Sequence, residues 1–276
     1  MKTYKAFNKD LKCSGFQYEI GKEYEHEGDI KICQSGFHGC ENPLDVLNYY
    51  DLCDSRFAEV EQSGETDKHD NDSKVVSSKI EIKKELDLKG FIDASIKFLF
   101  QKSKTSKNID ASSGDCSRLA SSGDCSRLAS SGDYSRLASS GDYSRLASSG
   151  DLSQLASSGD CSRLASSGDY SRLASSGNSS RLASSGNSSR LASSGNSSRL
   201  ASSGNFSQLA SNGENSVIAN IGINGIAKGI KGNWITLAEY GEDYKPICVK
   251  SAKIDGKILK ENIWYKLENK KFTEVK

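Results

Sequence analysis

From Ala111 to Ile218 the chain alternates small polar and apolar positions with a fixed period of nine. One unit, Ala-Ser-Ser-Gly-Asp/Asn-x-Ser-Arg/Gln-Leu, is written twelve times, and the last copy (Ala210 to Ile218) is already decaying. A short fixed period is the signature of a solenoid. Within Tyr134–Ser139 a period of two sets Ser135, Leu137 and Ser139 on one face of a strand, with Tyr134, Arg136 and Ala138 on the other. Ser140-Gly141-Asp142 then supplies a turn, glycine for its backbone freedom and aspartate for a bond to its own backbone.

The Leu face is the inside. The sixth position of the unit holds Cys116, Cys125, Tyr134, Leu152, Ser179 and Phe206, and no packed slot accepts both Ser and Phe without a cavity or an overpacking penalty. A helix is excluded by the recurring Ser-Ser-Gly, since each Gly costs roughly 1 kcal/mol of helix propensity. A flexible linker has the composition but no reason to keep Leu in register.

One nonapeptide cannot enclose a core, so two (eighteen residues) or three (twenty-seven) form each coil, and two is the favoured reading. Six such coils make a rod on the order of 30 Å long at about 4.8 Å per coil. Its interior is a Leu ladder flanked by Ser hydroxyls that bond one another or the turn backbone, because unpaired buried polar groups are costly. The outside sorts into two faces. One carries Cys116, Tyr134, Leu152, Tyr170, Ser188 and Phe206 beside Arg118, Arg136, Gln154, Arg172, Arg190 and Gln208. The other carries Cys125, Tyr143, Cys161, Ser179, Ser197 and Asn215 beside an unbroken row of Arg127, Arg145, Arg163, Arg181 and Arg199.

The flanks read differently. Residues 1–108 form an α+β domain with strands at Thr3–Phe7, Phe16–Ile20, Arg56–Gln62 and Lys74–Lys83. A helix starts at Asn42-Pro43-Leu44-Asp45, with Asn as the cap and Pro at the first helical position, and runs through Tyr49 and Tyr50. A second helix begins near Asp87, its apolar stripe Leu88, Phe91, Ile92, Ile96 and Leu99. Glu65–Asp72 is a solvated loop, and Lys102–Asn108 is a polar joint into the solenoid, where Ile109 begins the packing. The solenoid spans 109–228. Residues 229–276 are an antiparallel meander, with strands at Trp234–Tyr240, Ile247–Ile254, Ile263–Leu267 and Phe272–Val275. Solenoid ends expose strand edges that invite pairing, so both flanks are expected to cap the rod. The fold class is mainly β, a capped parallel β-solenoid.

Composition narrows the function. A net charge of +1 makes no global bid for nucleic acid or an anionic membrane. Met1-Lys2-Thr3-Tyr4-Lys5 opens no apolar signal run and no stretch approaches a membrane span, so a cytoplasmic location is expected. Eight irregularly spaced Cys fit a reducing compartment. The densest chemical cluster is Cys33, His38 and Cys40, with Cys13, His26 and Cys53 within folding reach. These are zinc-ligand types, but no Cys-x-x-Cys pair accompanies them, and buried thiols with a hydrogen-bonded His explain them without a metal. Cys/His nucleophilic catalysis is the other chemistry open to them. Calcium-binding nonapeptides need Gly-Gly-x-Gly-x-Asp, which this array lacks, and it has no Thr rows for ice. No cofactor is expected. Asp115 to Asp169 offset the arginines in the first seven copies, whereas Asn178 onward leaves Arg181, Arg190 and Arg199 in a locally positive end.

Tyr4-Lys5-Ala6-Phe7-Asn8-Lys9-Asp10, Gly15-Phe16-Gln17-Tyr18-Glu19, Gly36-Phe37-His38-Gly39-Cys40-Glu41-Asn42-Pro43-Leu44-Asp45 and Ile263-Trp264-Tyr265-Lys266-Leu267 resemble an uncharacterised family of phage and gut-bacterial proteins. Its members join such an N-terminal domain to Ser-Ser-Gly arrays and a similar C-terminal segment. The resemblance implies a phage or prophage setting and no particular chemistry. The expectation is a non-enzymatic repeat scaffold that binds a host protein through Tyr134, Leu152, Tyr170 and Phe206, with a salt-dependent part from Arg181, Arg190 and Arg199. Nucleic acid is the less favoured partner, and the oligomeric state is left open. The alternative is an enzymatic or zinc-binding activity in residues 1–108, with the solenoid as spacer.

Overall fold

The computed structural model describes residues 1–68, 73–102 and 109–275. Two units divide the chain, residues 1–98 and 99–276.

The strands of the first unit are β1 (Lys2–Phe7), β2 (Lys12–Cys13), β3 (Phe16–Gln17), β4 (Glu23–Glu25), β5 (Phe37–Cys40), β6 (Arg56–Lys68) and β7 (Lys74–Leu86); β2 and β3 pair as a small hairpin of their own and the other five form one antiparallel sheet. Pairing runs from β1 to β6, β6 to β7, β7 to β5 and β5 back to β1, so four strands close a ring, and β4 adds to the free flank of β7. Closure buries Phe7, Ala58, Val60, Ile80 and Ile82 in one cluster with Leu11, Tyr18 and Phe37. It also buries Gln62, which accepts from Thr3 Oγ1 at 2.6 Å and donates to the Phe37 carbonyl at 2.7 Å. Gly39 is required there, since a Cβ would lie 2.8 Å from both Gln62 Oε1 and Thr3 Oγ1.

The helix expected at Asn42 is a single stretch of 3-10 helix, Pro43–Asn48, with Asn42 Oδ1 accepting from the Leu44 amide at 3.2 Å. Tyr49 and Tyr50 therefore fall beyond it. Helix α1 (Leu88–Lys102) starts where Asp87 Oδ1 accepts from the Gly90 amide at 2.7 Å, and it buries Phe91, Ile92, Ile96 and Leu99. Of the expected loop at Glu65–Asp72, residues 65–68 belong to β6 and the rest lie outside the described residues, as does most of the expected joint at Lys102–Asn108.

The second unit is a parallel β-solenoid of about seven turns spaced eighteen residues apart. Its four-residue strands run from β8 (Ile109–Ser112) and β9 (Arg118–Ser121) to β20 (Val217–Asn220) and β21 (Ile226–Gly229). They alternate between two sheets, so Leu137 pairs in register with Leu119 and Leu155, and Leu146 with Leu128 and Leu164. The Leu side chains are 0–2 % exposed from Leu128 to Leu209 and form one continuous core. Six coils become seven because the Ile-rich stretch after Ile218 keeps the register. Interior serines pair across each turn, as where Ser139 Oγ donates to Ser144 Oγ and Ser144 Oγ to the Gly141 carbonyl, both at 2.8 Å.

Four details of the repeat differ from the expectation. The strand is only Arg/Gln-Leu-Ala-Ser. The sixth position lies in the turn with left-handed backbone, φ being 54° at Tyr134 and 57° at Phe206. That conformation strains L-residues by roughly 1–2 kcal/mol and is worst for β-branched ones. Accordingly the position holds Cys, Tyr, Leu, Ser, Phe or Asn and never Val, Ile or Thr. The array glycines do not have positive φ. They are there because coils touch at that point: a Cβ on Gly168 would sit 2.1 Å from the Gly150 carbonyl oxygen. The aspartates likewise work between coils, Asp133 Oδ1 accepting from the Asp151 amide at 2.8 Å, and Asn178 Oδ1 does the same for Asn196 at 2.9 Å. A neutral amide oxygen serves as well as a carboxylate, which is why Asn can replace Asp.

Gly168→Ala is therefore expected to force two coils apart and lower unfolding stability by about 1–3 kcal/mol or more, the range for overpacking against atoms that cannot move aside. Urea unfolding followed by circular dichroism checks it, and a change within about 0.5 kcal/mol of zero, as at ordinary surface sites, would contradict the close approach.

The C-terminal residues form two hairpins in place of one meander. β22 (Trp234–Tyr240) continues the first sheet parallel to β20 and pairs antiparallel with β23 (Pro246–Lys253). β24 (Tyr265–Glu268) joins β21 of the second sheet antiparallel and pairs with β25 (Lys271–Glu274). Each sheet thus ends on its own hairpin, and the two are joined through packing: Ile235, Leu237, Ile254, Tyr265 and Leu267 extend the Leu core.

Candidate functional site

The same Arg-Leu-Ala-Ser strand meets two fates. In the first sheet, which begins at β8, the outward side chains Arg127, Arg145, Arg163, Arg181 and Arg199 are exposed, as are Ala129, Ala147, Ala165, Ala183 and Ala201. In the second, which begins at β9, Arg136, Gln154 and Arg172 are 3–9 % exposed and Ala138, Ala156, Ala174 and Ala192 are buried. Arg190 is half-buried there and stands apart from Arg181 and Arg199. The alanine row of the first sheet floors a shallow groove of about 720 Å³ that ends against Ile221. The arginines beside it stand in strict register from coil to coil.

The residues expected to carry aromatic contacts sit at the corners of the coils. Tyr134, Tyr170 and Phe206 are more than half exposed and share one column with half-buried Leu152. Their left-handed turns aim them out of the rod, but of the residues expected next to them Arg136, Gln154 and Arg172 are buried, Arg190 and Gln208 are half-buried, and Arg118 is exposed.

In the first unit, Cys33, His38 and Cys40 line one cleft of about 770 Å³. His38 Nε2 accepts from the Cys33 amide at 2.9 Å. Burial, with the nearby Lys74 and Lys5 ammoniums, pushes the imidazole down to about 4, so it is neutral and its Nε2 lone pair is engaged. The Cys33 thiol receives the Lys74 ammonium at 3.2 Å, and Cys40 is buried. Among the described residues no group of three or more His, Cys, Asp or Glu could hold a metal ion.

Two groups of the cleft escaped the sequence reading. Lys5 is inward-facing, which the alternation Thr3-Lys5-Phe7 on the core face of β1 could have shown. Tyr50 was expected on a helix, and only the shortness of that helix frees it to reach Cys13, its hydroxyl 2.9 Å from the Cys13 sulfur.

By class this is a repeat-built β-solenoid joined to a small antiparallel unit. Residues 1–94 of that unit are similar to a domain of unknown function, DUF7666. No curated protein and no solved structure matches the chain. Among the described residues no helix is long and apolar enough to cross a membrane.

Proposed function

We propose that this protein is a non-catalytic repeat scaffold whose solenoid binds an acidic surface of another protein through the open face of its first sheet. The observation that carries the reading is the unequal treatment of one repeated strand: along the middle of the second sheet Arg136, Gln154 and Arg172 are buried, while the arginines of the first form an exposed ladder from Arg127 to Arg199. Like charges stacked at strand spacing repel unless a counter-charge is near. Asp124, Asp142 and Asp160 precede Arg127, Arg145 and Arg163, but Asn178 and Asn196 precede Arg181 and Arg199. The unsatisfied positive end is the place for an anionic partner, with the Ala/Ser groove admitting its side chains and the Tyr134–Phe206 column contributing aromatic contact at the edge. The setting we infer is a phage or prophage product acting on a host protein in the host cytoplasm, which rests on the sequence resemblance above.

The test is fluorescence anisotropy of the full chain with a labelled poly-glutamate peptide and a labelled duplex DNA of equal charge. Poly-glutamate should bind, weaken steeply between about 50 and 200 mM salt, and lose about tenfold or more in affinity with R163S/R181S/R199S. A triple variant that binds as well as the parent would overturn the role of the ladder. Tighter binding of the DNA would transfer the partner to nucleic acid.

A further inference from the structure

The outward column of the first sheet changes chemistry at its end. Arginine stands once per coil from Arg127 to Arg199, and the next two places in register are Val217 and Trp234. The core at those two rungs is filled by their neighbours Ile218 and Ile235, both fully buried. On the far side of the groove floor, Ile221 follows Ser185 and Ser203 in the same wall. Val217, Ile221 and Trp234 are each 44–48 % exposed. Between them the floor continues as Ala219 and Thr236. Charges rim this patch: Arg199 lies on one side of Val217, and Lys253 stands beyond Trp234. Glu214 occupies the turn before Val217, at the place that Asn196 holds one coil earlier, its amide donating to Asn196 Oδ1 at 2.8 Å. An exposed apolar patch with a polar rim marks an interaction site, and Trp and Arg are the side chains that anchor such sites. The Glu214 carboxylate opposes an acidic side chain at this end and leaves an apolar one unopposed.

We propose that Val217, Ile221 and Trp234 form a socket for one bulky apolar side chain of the acidic segment that the arginines bind. The inference rests on the reading of the arginine ladder and adds the character of the partner: a run of Asp or Glu with Phe, Trp, Leu or Ile beyond one end. Neighbouring strands lie about 4.8 Å apart, so Val217 is about 5 Å and Trp234 about 10 Å past Arg199, and an extended chain covers about 3.3 Å per residue. The apolar residue therefore falls two or three residues beyond the acid that meets Arg199. The socket supplies what the ladder lacks. A polyanion that slides by one coil meets the same arginines again, whereas an apolar residue has one place to go, and so fixes the register of the bound segment.

The experiment measures fluorescence anisotropy of the full chain with labelled, amidated peptides. One is poly-glutamate alone, two carry Phe three residues beyond the first or the last Glu, and one carries Phe at its middle. At least one end-tagged peptide should bind about tenfold tighter than the untagged one. It should also bind tighter than the middle-tagged peptide, which reaches the socket only by giving up contacts with the ladder. The gain should persist as salt rises, because burial of an apolar ring is not screened. Trp234→Ser should erase the gain and leave the affinity for untagged poly-glutamate unchanged, and Val217→Ser should reduce it. Equal affinities of the end-tagged and middle-tagged peptides overturn the socket while the ladder stands, without need of any variant. A gain that survives both Trp234→Ser and Val217→Ser does so too. If untagged poly-glutamate fails to bind, or binds R163S/R181S/R199S as well as the parent, the ladder falls and the socket with it. A dimer of the free chain by light scattering that Trp234→Ser dissolves gives the patch to a second copy and likewise overturns the proposal.

Discussion

Leu155→Ala is expected to lower the stability of the solenoid by about 2–5 kcal/mol, the range for emptying a slot that cannot collapse. Leu155 is 1 % exposed and sits in register between Leu137 and Leu173. Its neighbours cannot close in along the rod, because strands and turns alike are hydrogen-bonded to the coils on either side. The Tyr134 backbone amide donates to the Asp151 carbonyl at 2.9 Å, and the Gln154 backbone amide to the Ser135 carbonyl at 2.8 Å. Nor can they close in from across the core, where the other sheet is held by an equal ladder. Tyr143→Ser is the paired control. Tyr143 is 62 % exposed, and Ser179, Ser188 and Ser197 already adopt the same left-handed turn at φ 54–56°, so its cost should stay within about 0.5 kcal/mol. Urea unfolding of the two variants decides the matter. Equal midpoints would mean that the Leu row is not the core.

The features legible in the sequence are those that a constant position carries by itself. Leu never varies across eleven copies while the sixth position does, and that contrast alone places the inside. Gln154 and Gln208 fall in one sheet, so the eighteen-residue coil was readable too. What stayed hidden depends on residues eighteen or more apart. Gly150 is a glycine because of Gly132, not because of its own backbone angles. Asp and Asn interchange because the partner is an amide one coil away. The left-handed corner had a signal, the absence of Val, Ile and Thr, but it lies in what is missing from a column and no single unit shows it. In the first unit, β5 (Phe37–Cys40) was missed since its Gly39 is a poor strand former. That residue fits because Thr3 and Gln62 converge on it after closure of the ring. The same closure places Lys5 of β1 and Cys13 on one cleft, and no spacing along the chain announces that neighbourhood. The two hairpins were read as one sheet because local strand signals do not say which edge a strand will join.

Removing residues 230–276 should turn a monomeric end into an associating one. The hairpins do two things at that end. Their buried Ile235, Leu237, Tyr265 and Leu267 close the Leu core, and Lys228 beneath the Trp264 ring at 4.7 Å pins the second hairpin to β21. Their outer strands also replace a flat parallel edge with protected ones. β23 begins at Pro246 and carries Lys250 and Lys253, and β25 carries Lys271 and Glu274, the residue types that discourage edge pairing. Without them β20 and β21 present unpaired backbone groups over an open core. Two such ends can pair with each other and close as a dimer, whereas pairing with the opposite end of the rod does not close and yields filaments. The truncated chain should keep its β circular dichroism and elute as a monomer only when dilute, its mass by light scattering rising with concentration. Retained β structure with a constant monomer mass at high concentration would show that the hairpins complete the core without guarding the edge, and would return the protection of the rod to the shortness of its four-residue strands.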